Sequence, residues 1–122
     1  MKILVVDDEA VVLESCKKIL TSEGFEVALM SNVDDALAAL DKERFSLLLV
    51  DIKMPKRDGL SLMDMLRKRK ETIPIVVMSG YSTDKTINEA KQMGANNFIS
   101  KPFTPEELLT AVQKTIGKEA GK

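Results

Sequence analysis

Five times in succession this chain sets a strand-like run of four or five residues ahead of a segment with helical apolar spacing. Ile3-Leu4-Val5-Val6 is the first run. The segment Glu9 to Ser22 follows it, with Val12, Cys16, Ile19 and Leu20 on one stripe. Gly24 closes that helix, and Phe25 to Leu29 is the second strand. Ser31-Asn32 is a good cap pair for a second helix, burying Val33, Ala36, Leu37 and Leu40. Leu47-Leu48-Leu49-Val50 is the third strand, and after a turn at Pro55 to Gly59 a third helix packs through Leu62, Met63 and Leu66. Pro74 to Met78 is the fourth strand, followed by a helix over Thr83 to Met93 with a thin stripe of Ile87 and Ala90. Asn97 to Ser100 is a short fifth strand. The last helix starts at Thr104-Pro105-Glu106-Glu107, a cap, a proline at the first helical position and acids in the first turn. Its stripe is Leu108, Leu109, Val112 and Ile116.

Strand–helix units in that sequence imply a parallel sheet with right-handed crossovers and helices on both faces. The first, third and fourth strands are apolar without interruption, as strands buried on both faces are. The second alternates apolar and polar residues and the fifth is mixed, so both belong at edges. A three-layer α/β sandwich, (βα)5, with the flavodoxin-like order 2-1-3-4-5 satisfies this pattern. At 122 residues the chain makes one such domain, over residues 1–117, with 118–122 expected as a tail or the start of a linker.

Composition narrows the function. With 18 basic residues against 19 acidic ones and no run of like charge, the segment lacks the footprint of a nucleic-acid binder. No apolar run approaches a membrane span, and Met1-Lys2-Ile3 leaves no room for a signal sequence ahead of the first strand. The single cysteine, Cys16, excludes an internal disulfide, suits a reducing cytoplasm, and reads as a small core residue. The chain has no histidine, which removes Ser-His and Cys-His nucleophile systems and histidine-ligated zinc.

In open parallel sheets, ligands bind beyond the carboxyl ends of the strands where the strand order switches. Asp7, Asp8 and Glu9 follow the first strand, Asp51 the third, Ser79 and Gly80 the fourth, and Lys101 and Pro102 the fifth. Adjacent first and third strands bring carboxylates into one pocket, with a hydroxyl and an ammonium on its far side. Carboxylates so crowded repel one another unless a cation neutralises them, and Mg²⁺ with its preference for oxygen is the natural one. A lysine and a serine opposite the metal suit the oxygens of a transferring phosphoryl group. Asp51, alone at the end of a central strand, is the candidate nucleophile, since a carboxylate can form an acyl phosphate. Each residue also has an ordinary use: the acids at 7–9 as caps of the first helix, Asp51 in a turn, Ser79 and Lys101 as loop residues. Their joint placement, each after the appropriate strand, favours the chemical reading.

Ile3 to Glu9, Val50-Asp51-Ile52-Lys53-Met54-Pro55 through Asp58-Gly59, Met78-Ser79-Gly80 and Ser100-Lys101-Pro102-Phe103 resemble the signature blocks of CheY-like response-regulator receivers, over essentially the whole chain. The resemblance implies phosphoryl transfer to Asp51 from the phosphohistidine of a sensor histidine kinase, a partner that must supply the histidine absent here. It implies Mg²⁺ held by Asp8, Asp51 and the Lys53 backbone carbonyl, with Asp7 acting through water. Ser79 becomes the switch hydroxyl, Lys101 the partner of the phosphoryl group, and Phe98 the switch aromatic that turns inward on activation. Many members carry tyrosine there; Phe98 can only pack or unpack. Lys53 and Tyr81 border the approach of a hydrolytic water and are expected to tune dephosphorylation. Gly80-Tyr81 and Gly94-Ala95 with Phe98-Ile99 are most similar to receivers fused to σ54-dependent transcription activators. The expected readout is a changed surface of the fourth helix, fifth strand and fifth helix, which controls an output domain in cis or a partner in trans, or forms a homodimer.

Two other functions are weighed against this one. A Mg²⁺ phosphohydrolase with an aspartyl-phosphate intermediate usually needs a second carboxylate two residues after the nucleophile, where this chain has Lys53. A flavin-binding module would need a Ser/Thr/Gly-rich phosphate loop after the first strand, where Asp7-Asp8-Glu9 would repel phosphate.

Overall fold

A computed structural model of the chain describes residues 1–54, 58–80 and 83–120, with side chains to Gly117. The elements alternate as β1 (Lys2–Val6), α1 (Ala10–Ser22), β2 (Glu26–Met30), α2 (Val33–Lys42), β3 (Leu47–Asp51), α3 (Gly59–Lys68), β4 (Ile75–Ser79), α4 (Asp84–Gln92), β5 (Asn97–Ser100) and α5 (Pro105–Ala120). The sheet is parallel throughout in the order β2-β1-β3-β4-β5, as the run characters imply.

Alternation along each strand divides the core in two. Ile3, Val5, Leu47, Leu49, Val76, Met78 and Ile99 pack with Cys16 and Leu20 of α1 and with Leu108, Val112 and Ile116 of α5. Leu4, Val6, Leu48, Val50, Ile75 and Val77 pack on the other face with α2, α3 and α4. Every residue of β3 and β4 is buried, whereas β2 has none buried, which is why it alternates in sequence.

The caps follow from the local sequence. Asn32 Oδ1 accepts the Asp35 amide, Asp58 Oδ1 the Ser61 amide and Thr83 Oγ1 the Thr86 amide. Thr104 and Glu107 exchange two bonds, a reciprocal capping box that starts α5.

Packing also departs from the apolar stripes. Leu40 is only half-buried, and Ala39 takes the inward place at the end of α2. Ile87 is likewise half-buried, leaving Ala90 as the buried residue of α4. The far end of α4 is held instead by Arg67 of α3, whose guanidinium donates to the carbonyls of Met93 (3.2 Å), Gly94 (2.9 Å) and Glu71 (2.7 Å). On α5, Leu109 is half-buried while Ala111 and Thr115 are buried. Thr115 is tolerated there because its hydroxyl donates to Ala111 O at 2.7 Å and accepts from Asn97 Nδ2 at 2.6 Å. Helix α5 continues past Gly117 to Ala120, where the composition suggests a tail.

Leu49 on the central strand is fully buried, and Val11 is 78% exposed. Leu49→Ala should therefore cost about 3 kcal/mol, and Val11→Ala less than about 0.5 kcal/mol. Urea unfolding of the two variants beside the parent checks the contrast, and equal costs would contradict the burial of β3.

Candidate functional site

The sheet register gathers the chemistry-bearing residues at one end. Val6 pairs with Val50 across β1 and β3, Asp51 with Met78 across β3 and β4, and Ser79 with Ser100 across β4 and β5. Asp7, Asp51, Ser79 and Lys101 thus stand side by side at the carboxyl edge. Asp51 and Ser79 are the last residues of their strands, one position earlier in the fold than the apolar runs suggest. Asp7 and Ser79 are wholly buried and Asp51 is 4% exposed.

The acids after β1 are not used to cap α1. Glu9 sits at the cap position without a side-chain bond to the helix, and Asp7 Oδ1 accepts the Glu9 amide at 2.9 Å. Asp7 Oδ2 receives Lys101 Nζ at 2.6 Å, and the same ammonium reaches Asp51 Oδ2 and Glu9 Oε1, both at 3.1 Å. Lys101 therefore lies among the carboxylates rather than across the pocket from them, a correction to the sequence reading. Its long flexible stem spans β4, and buried carboxylates attract an ammonium strongly in a medium of low polarity. The other Asp51 oxygen, Oδ1, accepts the Lys53 amide at 3.1 Å.

Carboxylate oxygens of Asp7, Asp8 and Asp51 all lie within 4.8 Å of one another. Two of the three are buried and Asp8 is exposed, so the group can hold a hard, oxygen-seeking cation with one ligand free to adjust. A cleft of about 820 Å³ opens over them, bounded by Asp8, Asp51, Lys53, Gly80 and Lys101 and walled by Val12 and Phe103. A hollow of similar size lies at the opposite end of the sheet around Phe45, Arg69 and Pro74, away from this chemistry.

Residues 3–113 match the response regulator receiver domain family. The chain belongs to that family. It is a receiver of two-component, phosphorylation-based signalling. It is 33% identical over 115 residues to sporulation initiation phosphotransferase F of Bacillus subtilis, covering 94% of this chain and 93% of that protein. It is also 33% identical over 112 residues to the DNA-binding transcriptional regulator NtrC of Proteus hauseri, covering 92% of this chain and 24% of that protein. Among solved structures, the chemotaxis protein CheY4 of Vibrio cholerae superposes with a TM-score of 0.89 at 29% identity, covering 93% of this chain and 97% of that one. The chain thus spans about a quarter of one of these curated relatives and nearly all of another.

Within the receiver, Phe98 is half-buried against the core on the α2–α4 face. Tyr81 and Pro55 lie outside the described residues. Among the described residues, no helix is long and apolar enough to cross a membrane. Two residues gain a place at the site that the strand ends did not assign them. Glu9, which follows β1 with Asp7 and Asp8, joins the Lys101 cluster. Gly59 packs directly on Asp51, and its signal was a poor helix former opening a helix.

Burial raises the pKa of Asp7 and, with help from the Asp7 charge, of Asp51; in each case the bond from Lys101 only partly offsets it. Lys101 is itself disfavoured by burial, yet its bonds to Asp7 and Asp51 hold it protonated above the ordinary lysine value. These directions describe one imbalance: a single ammonium is shared among three carboxylates. Burial also pushes the Cys16 thiol up to about 12, so it is inert.

A carboxyl whose pKa is raised by folding contributes stability below its unfolded pKa of about 3.9, and that contribution is lost as pH rises through the folded value. At neutral pH the metal-free receiver therefore carries the cost of a charged Asp51. Asp51→Asn should raise the melting temperature in chelator at pH 7 by about 4 °C, equivalent to roughly 1 kcal/mol. The gain should shrink toward pH 4. Calorimetric scans across that range check it, and a lower melting temperature for Asp51→Asn at pH 7 would contradict the balance described.

Proposed function

We propose that Asp51 is the phosphoryl acceptor of this receiver, and that the donor is the phosphohistidine of a sensor histidine kinase. The observation that carries the reading is a buried carboxylate at the end of the central strand, bonded to Lys101 and grouped with Asp7 and Asp8. An Asp51 oxygen attacks phosphorus in line, the P–N bond to the donor imidazole breaks, and the phosphoryl group is left as an acyl phosphate. Asp8, Asp51 and the Lys53 carbonyl, with Asp7 through water, would hold Mg²⁺, which would supply charge neutralisation at the phosphoryl oxygens. Lys101 is already paired to Asp51 and moves its charge to a phosphoryl oxygen, while the Lys53 amide orients Oδ1. Ser79 turns its hydroxyl to another phosphoryl oxygen, and Phe98 repacks in response.

The outcome is a switch rather than turnover: the domain assists its own phosphorylation and dephosphorylation. What supports a mobile α4–β5–α5 surface is the sparse burial of α4, with Ala90 its one buried residue. That surface would act on an output domain in cis, of the σ54-dependent activator type, on a partner in trans, or in a homodimer, and in the cytoplasm. A phosphohydrolase of outside substrates is disfavoured by Lys53, which stands where such an enzyme needs a general acid. Lys53 and Tyr81 tune the lifetime of the acyl phosphate.

With Mg²⁺ and a small acyl-phosphate or phosphoramidate donor, the protein should gain one phosphoryl group and Asp51→Ala none, read by intact mass; equal labelling would remove Asp51 from the role. Mg²⁺ affinity should fall about tenfold or more in Asp8→Asn and stay within about twofold in Ser79→Ala, since loss of a ligand forfeits binding directly. Calorimetric titration giving the reverse order would overturn the metal assignment.

A further inference from the structure

The geometry points to Gly59 as a positioning residue for the acceptor: its lack of a side chain lets α3 start directly against the Asp51 backbone and sets the turn that carries Asp51 and Lys53. This inference rests on the assignment of Asp51 as acceptor and adds a residue to it. A Cβ at position 59 would overlap the Asp51 carbonyl oxygen and stand 3.0 Å from its carbonyl carbon and 3.1 Å from Ile52 Cα. These are main-chain atoms, which cannot swing aside as the end of a long side chain can. The Gly59 amide also donates to Ile52 O at 2.9 Å, so the first turn of α3 is tied to the residue after the acceptor.

What would yield to a methyl group is fixed by the packing around it. Helix α3 is anchored by Leu62, Met63 and Leu66, all at 0% exposure, and β3 is paired to β1 as far as Val50 and to β4 as far as Asp51. Both are stiff, because close-packed cores transmit displacement rather than absorb it. The atoms in the path of the methyl group are the Asp51 carbonyl and Ile52 Cα, where the strand ends and residues 51–53 turn away. That turn holds the Asp51 carboxylate, the Lys53 amide that orients it and the Lys53 carbonyl assigned to the metal. A side chain at 59 therefore displaces the reacting group without touching it. Displacements near 1 Å at such a group cost on the order of a hundredfold in rate.

The test is Gly59→Ala in the full chain, with Gly117→Ala as control, since a Cβ there meets nothing within 4 Å. Each is measured for Mg²⁺ dissociation constant and for phosphorylation by a small phosphodonor at saturating Mg²⁺, at a temperature where circular dichroism shows it folded. Gly59→Ala should raise the Mg²⁺ dissociation constant at least fivefold, roughly 1 kcal/mol, and lower the maximal phosphorylation rate at least tenfold, roughly 1.4 kcal/mol. Gly117→Ala should change neither. A Gly59→Ala protein that melts lower but keeps both values within about twofold of the parent, a shift of only ~0.4 kcal/mol, would overturn the inference and leave Gly59 a packing residue only. Should that variant fail to fold, the parent decides by amide resonances. Adding Mg²⁺ should move the Gly59 and Ile52 signals together with Lys53, and a shift at Lys53 alone would overturn the inference. Loss of labelling in the parent, by contrast, would strike the assignment of Asp51 itself.

Discussion

One ammonium shared among three carboxylates is the interaction on which the site depends. Asp7 and Asp51 are buried side by side because β1 and β3 are neighbours and end in register. Burial raises the pKa of both, with the Asp7 charge adding to the rise at Asp51, and Lys101 offsets this only in part. A cluster left short of positive charge has latent affinity for a cation and gains more from charge neutralisation than a solvated one would. The same shortage makes Lys101 a mobile resource: any new anionic oxygen near Asp51 competes with Asp7 and Glu9 for it.

That local electrostatic shortage sits on a rigid support. β3 and β4 are buried along their whole length, and α3 is locked to the end of β3 through Gly59. α4 is built differently. It buries one residue, Ala90, and is fastened at its far end by the Arg67 guanidinium through carbonyls of Met93 and Gly94. A stiff site beside a thinly packed helix with one anchored end is the mechanical arrangement a two-state output surface needs.

The fold was legible because its pattern is binary and repeated. Leu47 to Val50 and Pro74 to Met78 could hardly be anything but central strands, and Phe25 to Leu29 announced an edge by alternating. The meeting place of these side chains was legible for a related reason: the carboxyl ends of parallel strands share one edge, so whatever follows each strand meets there. Asp7, Asp51, Ser79 and Lys101 could be named from position alone. Leu40, Ile87 and Leu109 were assigned deeper positions than they occupy, because a helical stripe gives the direction of burial but not its depth. Thr115 was missed because a buried hydroxyl is allowed only by partners, Asn97 and Ala111 O, that a helical stripe cannot reveal.

The sequence by itself determined the order of elements, the two-faced core and the set of side chains that could do chemistry. Each of these depends on periodicity or on adjacency to a strand end, which are local properties. Tertiary structure alone decided that Lys101 crosses to Asp7, Glu9 and Asp51, that Arg67 holds α4, and that Gly59 lies against the Asp51 backbone. Those contacts join residues brought together only when helices and strands dock. Their energies depend on distance and burial in three dimensions, and neither quantity is encoded in spacing along the chain.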